Sequence, residues 1–323
     1  MHHLHTISAT AALFLMIVAT ACGGTPAPAQ ATTTPIPTNA PTAEPTNTVE
    51  AILSIDGEVI ADTGGENLWE EFDPSNFSNP TMIDNQWFPL QPGMQYIFEG
   101  VTEEGGESIP HRVTITITDL TKVIDGVRTV VTWDQDFSAD MLVETELAFF
   151  AQDDDGNVWR LGEYPEVYDE FGKFVEAPAW ISGLKGARAG IIMTANPQLG
   201  DPSYSQGWAP AVDFTDRGQV DQMGQQTCVP IDCYENVLVI AESSQSEPDA
   251  IQLKYYAPGV GNVRVGWRGA DATKETLELV EVIQLSPDAL EEVRAQALEL
   301  EKRAFEISKE VYAYTLPMEP LTP

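Results

Sequence analysis

Oxygen-bearing side chains alternate in Asp153-Asp-Asp-Gly-Asn157, as they do in the first part of a calcium-binding loop. Asp153, Asp155 and Asn157 would be the ligands. Tyr164 stands at the last position of an EF-hand loop, where a bidentate glutamate belongs. Acidic residues with glycine also suit the turn of a β-hairpin. We therefore favour a turn and keep calcium as the alternative. Conceivable further oxygen ligands follow at Glu163, Glu166 and Asp169.

Two of the three cysteines, Cys228 and Cys233, are separated by Val-Pro-Ile-Asp. In an exported protein the surroundings are oxidising, so a local disulfide is the leading interpretation. A metal site would need further soft ligands that the chain lacks. A redox-active pair would more typically have two intervening residues.

Histidine is scarce, and this scarcity excludes several kinds of chemistry. Of the four histidines, His2, His3 and His5 precede an apolar export segment, so a mature chain keeps His111. Zinc, copper and non-haem iron sites need two or three His or Cys ligands. A Ser-His-Asp triad could use only His111, and no Gly-x-Ser-x-Gly sequence supplies the nucleophile.

Paired carboxylates are the catalytic device that remains, because glycosidases need only two of them. The chain has 50 acidic residues, and without distances no pair can be selected. Aromatic residues in irregular segments are the candidates for binding an apolar or glycan ligand. The alternative is that they cap the ends of a sheet. These candidates are Trp87, Phe88, Trp180, Tyr204 and Trp208.

The charge balance limits the partners. The chain has 16 basic and 50 acidic residues, a net charge of −34, and Arg112 is its first basic residue after the histidines. Nucleic-acid binding begins with basic contacts to phosphates, so we expect no nucleic-acid partner. The charge indicates solubility outside the cell or in salt, with a surface for divalent cations as the alternative.

The first 21 residues are typical of an export signal. Ala11 to Ala21 is an apolar run too short to span a bilayer as a helix. Ala19-Thr-Ala-Cys22 resembles the lipobox of bacterial lipoproteins, which implies that Cys22 carries the lipid and becomes the N-terminus. The alternative is an ordinary signal peptide cut near Ala21. Residues 22–50, rich in Pro and Thr, predict a disordered tether. We expect a lipid-anchored protein on the outer face of the bacterial cytoplasmic membrane or in the cell envelope.

The elements that would position these residues are mostly strands. In His111 to Gly162, β-branched residues alternate with polar ones, and Asp125-Gly126 marks a hairpin. We predict a mainly β fold: a large antiparallel curved sheet, half-barrel or sandwich with long irregular loops. Residues 51–323 would form one domain. Further strands are predicted at 51–61, 94–99, 234–241, 253–256, 262–267 and 276–283, the last closing the sheet.

Other segments lack a strand pattern. Residues 72–92, 164–196 and 197–226 are predicted to be largely irregular, with short strands or a single helical turn at 180–184 and 189–193. One α-helix is predicted over about 286–308, where Ser286-Pro287-Asp288 supplies the N-cap, first position and first-turn acid. Its apolar stripe, from Leu290 to Ile307, should pack on its own domain.

Three phrases carry a resemblance: Asp84-Asn-Gln-Trp-Phe-Pro-Leu-Gln-Pro-Gly93, Phe150-Ala-Gln-Asp-Asp-Asp-Gly-Asn-Val-Trp159 and Lys254-Tyr-Tyr-Ala-Pro-Gly-Val-Gly261. They look like a family of exported bacterial proteins of unassigned function, over most of residues 72–311. The third phrase is also similar to lipoprotein-carrier-like half-barrels, which implies a curved sheet holding an apolar ligand. Neither resemblance supplies a catalytic residue.

Three functions fit the sequence. The first is a non-enzymatic envelope lipoprotein that binds an apolar or glycan ligand, with no cofactor other than the calcium alternative above. The second is a carboxylate-dependent hydrolase of envelope or extracellular polysaccharide. The third is a structural envelope protein.

Overall fold

A computed structural model describes residues 67–321. These residues form a 16-stranded sheet whose ladders are all antiparallel. The mainly β fold, with one large antiparallel sheet, is confirmed. The strands are β1 Met94–Glu104, β2 Glu107–Ile124, β3 Val127–Ser138, β4 Met141–Gln152, β5 Val158–Tyr168, β6 Phe174–Glu176, β7 Trp180–Ile181, β8 Arg188–Met193, β9 Tyr204–Ser205, β10 Gly207–Trp208, β11 Arg217–Val229, β12 Asp232–Ser243, β13 Ala250–Ala257, β14 Gly261–Gly269, β15 Thr276–Gln284 and β16 Glu319–Pro320.

The main path through the sheet is β10-β8-β5-β4-β3-β2-β1-β15-β14-β13-β12-β11-β9. Its two end strands, β9 and β10, are consecutive in the chain and are separated only by Gln206. The open sheet is therefore curled until both ends meet at the segment Tyr204–Trp208. Gly190 permits the close approach of β8 and β10, because a Cβ atom there would lie 2.1 Å from the backbone nitrogen of Gly207.

Turns and bulges produce the curvature. Asp125 and Gly126 have φ values of 48° and 84°, as the predicted two-residue hairpin requires. The β2–β3 register shifts between Ile117 and Thr121, so β2 contains a bulge there and continues as one long strand. Bulges bend and twist the strands that contain them.

On the inner face of the curled sheet, side chains from β4 and β8 pack against side chains from β12 and β13. One buried cluster contains Phe150 and Ile192 from the β4 and β8 side, together with Ile240 and Tyr256 from the β12 and β13 side. Leu90, from the loop before β1, is in the same cluster. The loop over residues 77–92 therefore packs against the sheet.

The outer face of β2–β5 is covered by the C-terminal helix α1 (Pro287–Ile307). Ser286 caps it by accepting a hydrogen bond from the backbone N–H of Ala289. Val293, Ala297 and Leu300 are buried against the sheet, whereas Ile307, at the end of the predicted stripe, is 40% exposed. A four-residue helix α2 (Lys309–Tyr312) follows. Within the described part of the chain, no helix combines the length and apolar character that crossing a membrane requires.

Two predicted features of the sheet are wrong. β11 occupies residues expected to be irregular, because Arg217–Val229 is mostly polar and its ladder is broken by three register shifts, which hide any alternation. β15 does not close the sheet: it pairs with β1 and β14 in the middle of the strand order. The sheet ends instead at β9 and β10. The expected hairpin over residues 51–61 and the signal and tether segments lie outside the described residues.

Candidate functional site

The β3–β4 hairpin places two pairs of acidic residues directly opposite each other, Asp134 with Glu146 and Asp136 with Glu144. All four share the inner face of the sheet with Phe150, because side chains alternate along each strand. Asp136, Glu144 and Glu146 are buried, and the Oδ1 atom of the partly exposed Asp134 is buried as well. Like charges directly opposite each other destabilise a sheet, so this arrangement marks a candidate site.

The environment raises the pKa of both aspartates. Burial raises the pKa of Asp134 to about 7, and the charge of Glu146 adds to this effect while Arg160 opposes it. Burial also raises the pKa of Asp136 to about 8, against the lowering influence of His111. Strongly perturbed carboxyl groups of this kind cluster at functional sites.

His111, near the start of β2, lies between Asp136 of the second acidic pair and Glu275, the residue directly before β15. Its Nδ1 atom lies 3.4 Å from Asp136 Oδ1, and its Nε2 atom lies 2.9 Å from Glu275 Oε1. Burial lowers the pKa of His111, but the hydrogen bond with Glu275 and the two carboxylate charges outweigh it, so the net shift is upward. Gln252 on β13 donates a hydrogen bond of 2.5 Å to Glu275 Oε2.

Arg160 on β5 is the charged centre of the interior. Its Nη1 atom lies 3.0 Å from Glu163 Oε2 on the same strand. The guanidinium carbon lies 5.3 Å from the centroid of the Phe150 ring and 5.7 Å from that of Phe214. Burial lowers the pKa of Arg160, but the charges of Glu163 and other buried carboxylates outweigh this effect, so the net shift of the pKa is upward. Arg160 therefore stays charged inside the sheet.

Glu242 on β12 is the centre of a second group of polar contacts on the inner face. Lys254 Nζ lies 2.6 Å from its Oε2 atom, and Gln206 Nε2 donates a hydrogen bond of 2.8 Å to its Oε1 atom. Gln206 is the residue between β9 and β10. Its hydrogen bond therefore connects Glu242 to the segment where the two ends of the sheet meet. Glu242 also lies opposite Gln252 in the β12–β13 ladder. A polar network thus runs along the inner face from Asp136 to Gln206.

Two buried amide oxygens in this network, Gln206 Oε1 and Gln252 Oε1, have no hydrogen-bond donor among the described residues. The side chains of Gln206 and Gln252 are almost fully buried. Leaving a buried acceptor unpaired costs about 1–3 kcal/mol, so these two oxygens are positions where a donor, water included, would be stabilised.

An apolar wall adjoins the acidic pairs. Ile115 on β2 lies directly opposite Asp134 on β3, and Val113 lies opposite Asp136. Beside Ile115 is a cavity of about 60 Å³. The cavity is lined by Phe88, Pro89, Leu90, Tyr96, Phe98, Ile115, Ile117, Val260, Gly261 and Asn262. The interior therefore offers an apolar surface on one side and carboxylates on the other.

The predicted aromatic residues are divided among several places. Phe88, with Trp87 beside it in the loop, packs 5.5 Å from Phe150, measured between ring centroids, on the inner face. Tyr204 is buried, and burial together with the Glu242 charge raises the pKa of its hydroxyl far above the usual value. The structure thus brings Phe88 and Tyr204 to the inner face.

The other two predicted tryptophans lie elsewhere. Trp180 packs 4.9 Å from Phe214 in a separate small cluster. Trp208 lies 6.0 Å from Trp69, and Arg188 lies 4.2 Å from the Trp69 ring. A second cavity of about 300 Å³ is lined in part by Arg188. These aromatic residues do not form one continuous ligand surface.

The Asp153–Asn157 segment is a hairpin turn whose first carboxylate is already engaged. Asp153 accepts hydrogen bonds from the backbone N–H groups of Asp155 and Asn157, from the Asn157 side chain and from Trp159 Nε1. The described residues contain no group of three or more His, Cys, Asp or Glu side chains arranged to hold a metal ion. Calcium binding here stays the alternative to a plain turn.

The further oxygens proposed for calcium serve other contacts. Glu163 pairs with Arg160 on the inner face, whereas Glu166 pairs with Arg303 of α1 on the outer face. Asp169 accepts hydrogen bonds from the backbone N–H groups of Phe171 and Lys173 in its own turn. These three carboxylates therefore do not converge on the Asp153 turn.

Cys228 and Cys233 face each other across the β11–β12 hairpin and form a disulfide, as predicted. Cys22 lies outside the described residues. The sequence does not select the acidic pairs of β3 and β4, because without distances no pair can be chosen among 50 acidic residues. One signal could have indicated them. Asp134 and Asp136 are two positions apart, as are Glu144 and Glu146 beyond the next turn, and residues two apart on a strand share one face of a sheet.

No family model matches the chain, and no curated protein matches it. Two solved structures show a distant similarity. One is a Bacteroides fragilis protein with a YmcC-like fold, thought to be exported, at 13% identity over 62% of this chain and 99% of that chain, with a TM-score of 0.36. The other, from Parabacteroides distasonis and thought to be a lipoprotein, has 11% identity over 62% of this chain and 100% of that chain, with a TM-score of 0.36. Neither similarity carries an argument about function.

Proposed function

We propose that this chain is an exported bacterial lipoprotein whose curled sheet binds a small ligand on its inner face without catalysing a reaction. The observations that carry this proposal are the two buried amide oxygens of Gln206 and Gln252, which have no donor among the described residues, and the apolar cavity beside Ile115 on the same inner face. A fold maintained only for its own stability gains nothing from leaving such acceptors without donors. A ligand with both apolar and donor groups would satisfy both surfaces.

The proposed ligand is apolar or glycan in its main part. Phe88, Tyr96 and Ile115 supply the surface for an apolar group. Carboxylates such as Asp134 and amides such as Gln252 supply acceptors that sugar hydroxyls could use. Ligand sites generally combine an apolar lining with a few placed polar groups, which is the pattern on this inner face.

Ligand binding can be tested with two neutral probes, N-phenyl-1-naphthylamine for an apolar ligand and N-acetylglucosamine for a glycan. We expect at least one of them to bind the full chain in titrations followed by fluorescence or calorimetry. Ile115→Trp should fill the interior and weaken binding at least about tenfold. Val175→Trp is the matched control, because Val175 is 55% exposed on β6. Absence of binding by both probes, or equal binding by Ile115→Trp, would contradict the proposal.

The lipid anchor rests on the lipobox-like sequence before Cys22 and on the Pro- and Thr-rich segment that follows it. A tether of that composition would hold the folded domain clear of a membrane. We expect the protein to partition into detergent and to be released when Cys22 is changed to Ser. Membrane association that is unchanged in Cys22→Ser would contradict the anchor.

One observation favours hydrolysis as a second candidate function. Asp134 and Glu146 are adjacent carboxyl residues, and the raised pKa of Asp134 would keep it protonated near neutral pH, as a general acid requires. Release of reducing ends from envelope polysaccharide, lost in both Asp134→Asn and Glu146→Gln, would support the hydrolase. If the wild-type protein released no reducing ends, the hydrolase would be contradicted and the binding function would stand.

A further inference from the structure

We propose that a surface groove on the outer side of the sheet binds a linear neutral saccharide, at a site separate from the inner face. The groove consists of two neighbouring cavities, of about 300 Å³ and about 190 Å³, which share Asp125, Ser182 and Gly183. Phe72 in its wall packs against the buried cluster that contains helix α1, which places the groove on the outer side. The proposal does not depend on the inner-face function, because none of the shared residues lines the cavity beside Ile115.

The boundary between the two cavities is built around the Asp125 carboxylate. Ser182 is buried, and its Oγ atom donates a hydrogen bond of 3.0 Å to Asp125 Oδ2. Gly183 has a φ of 80°, and a Cβ atom there would lie 3.0 Å from Asp125 Oδ1, so glycine leaves room for the carboxylate. Asp125 is exposed, and a carboxylate has about four acceptor sites. It can therefore accept hydrogen bonds from a ligand that spans both cavities.

Hydrogen-bond donors and acceptors both line the larger cavity. Glu70, Glu71 and Asp125 supply acceptors, and Arg188 supplies donors. Glu70 is held in place because its Oε1 atom accepts a hydrogen bond from the backbone N–H of Ser205. An ammonium group cannot accept from Arg188, and an anion would face the carboxylates. A sugar hydroxyl both donates and accepts, so a neutral saccharide can use both kinds of group.

An aromatic ring lies beside each cavity. At the larger cavity, Arg188 lies 4.2 Å from the centroid of the Trp69 ring, and Trp69 lies 6.0 Å from Trp208. At the smaller cavity, Tyr314 is 74% exposed and Leu316 is 65% exposed. An aromatic face provides apolar surface on which the C–H groups of a sugar ring can pack. A chain of several sugar units is needed to reach from one cavity to the other.

The backbone of the groove favours a saccharide over an extended peptide. The N–H groups of Gly183 and Ala187 donate to the carbonyl oxygens of Ala187 and Leu184. The N–H group of Ala189 donates to Ser182 Oγ. A peptide that adds to a sheet as a strand needs backbone groups that are free to pair with it. Because these donors are already used, recognition in the groove falls to side chains.

The experiment is calorimetric titration of the full chain with cellotetraose and with chitotetraose, linear tetrasaccharides without and with acetamido groups. We expect at least one of them to bind, at least about tenfold more tightly than its monosaccharide, because only the longer chain contacts both cavities. Arg188→Ala should weaken tetrasaccharide binding at least about tenfold, through the lost charged hydrogen bonds. Tyr314→Ala should weaken it about fivefold. Ile115→Trp, which fills the inner face, should leave it unchanged.

Two exposed side chains outside the groove supply matched controls. Arg112 lies 4.5 Å from the centroid of the Phe137 ring, so Arg112→Ala removes a cation–π contact like that of Arg188. Phe171, in the turn between β5 and β6, is 81% exposed and matches Tyr314. Arg112→Ala and Phe171→Ala should bind the tetrasaccharide like the wild-type protein. Circular dichroism checks that every variant is folded, as expected for substitutions of exposed side chains.

The outcomes separate this site from the inner-face function. If the wild-type protein bound neither tetrasaccharide, the groove site would be overturned, whereas the inner-face function would still be decided by its own probes. Binding that is lost in Ile115→Trp but unchanged in Arg188→Ala and Tyr314→Ala would place the saccharide on the inner face and overturn the groove site. Tighter binding of acetyl-tetraalanine amide than of either tetrasaccharide would also overturn it, in favour of a peptide. Tetrasaccharide binding without binding of N-acetylglucosamine or N-phenyl-1-naphthylamine would overturn the inner-face function alone.

Discussion

Asp134 and Glu146 lie directly opposite each other on β3 and β4, with no basic residue as a cross-strand neighbour of Asp134. A sheet gains from opposite charges in such positions and loses from like charges. The next inward-facing pair, Asp136 with Glu144, repeats the arrangement. The stability of this hairpin should therefore depend on protonation, and this dependence can be measured.

The first prediction concerns pH. Burial raises the pKa of Asp136 to about 8 and that of Asp134 to about 7, from an ordinary value of 3.8. Between about pH 4 and pH 8 the folded state thus holds protons that the unfolded state releases, so unfolding becomes easier as pH rises. The raised pKa of His111 acts in the same direction, because its contribution is lost as pH rises through the folded value. The other charged groups facing these residues are Glu144, Glu146, Arg160 and Glu275.

Urea unfolding at a series of pH values from about 5 to 8.5 measures this effect. We expect the free energy of unfolding to fall across this range and to fall much less in the double variant Asp134→Asn/Asp136→Asn. Asp140→Asn should follow the wild-type protein. A wild-type stability that rises with pH over the whole range would refute the raised pKa values.

The second prediction concerns the ion pair under helix α1. Lys122 on β2 is fully buried, and its Nζ atom lies 2.7 Å from Glu301 Oε1. Glu301 also accepts a hydrogen bond from the backbone N–H of Met318. Lys122→Met leaves the Glu301 charge buried without its cation, so we expect a loss of about 3–5 kcal/mol in urea unfolding.

The control for this ion pair is Lys302→Met, because Lys302 pairs with Glu299 on the exposed side of the same helix. Its effect should stay below about 1 kcal/mol. If Lys122→Met cost no more than Lys302→Met, the buried pair would not be holding the C-terminal segment to the sheet.

The third prediction concerns the disulfide. Cys228 and Cys233 are five positions apart, so their bond closes a very short loop. Loop closure of this length should stabilise the fold by less than about 3 kcal/mol. We expect Cys228→Ser/Cys233→Ser to fold and to melt at a slightly lower temperature. Alkylation of both thiols in unreduced, denatured wild-type protein, detected by mass spectrometry, would disprove the bond.

Much of the fold could be predicted because local patterns agree with the final sheet. The alternation in Arg112–Thr118 and the Asp125-Gly126 turn both point to the β2–β3 hairpin that forms. Helix α1 begins at Pro287, as the N-cap residue Ser286 and the first-turn Asp288 predict. β11 could not be predicted, since its strand order and bulges depend on β9 and β12 rather than on its own residues.

The site could be predicted less well than the fold. The sequence selects Phe88 and Tyr204 as aromatic residues in irregular segments, and the structure places both on the inner face. The acidic residues of β3 and β4 belong to a polar stretch that resembles an exposed loop, and only the register shows that they face one another inside the sheet. The pairing of His111 with Glu275 joins residues far apart in the chain, which no local spacing reveals.

The fourth prediction concerns calcium. The Asp153 carboxylate is engaged by donors from its own turn, so we expect calcium and sodium chloride at matched ionic strength to give similar melting temperatures. Asp153→Ala should lower stability by removing those hydrogen bonds, at about 1 kcal/mol for each bond. Asp155→Ala should have a smaller effect. A calcium-specific rise of several degrees, lost in Asp153→Ala/Asp155→Ala, would establish a calcium site instead.

A crystal structure of the protein with whichever of N-phenyl-1-naphthylamine and N-acetylglucosamine binds in titration tests the central claim most directly, because it locates the ligand. We predict that the bound molecule lies on the inner face of the sheet, in contact with Ile115 and Phe88. A molecule found only on the outer surface of the sheet, with none on the inner face, would contradict the account.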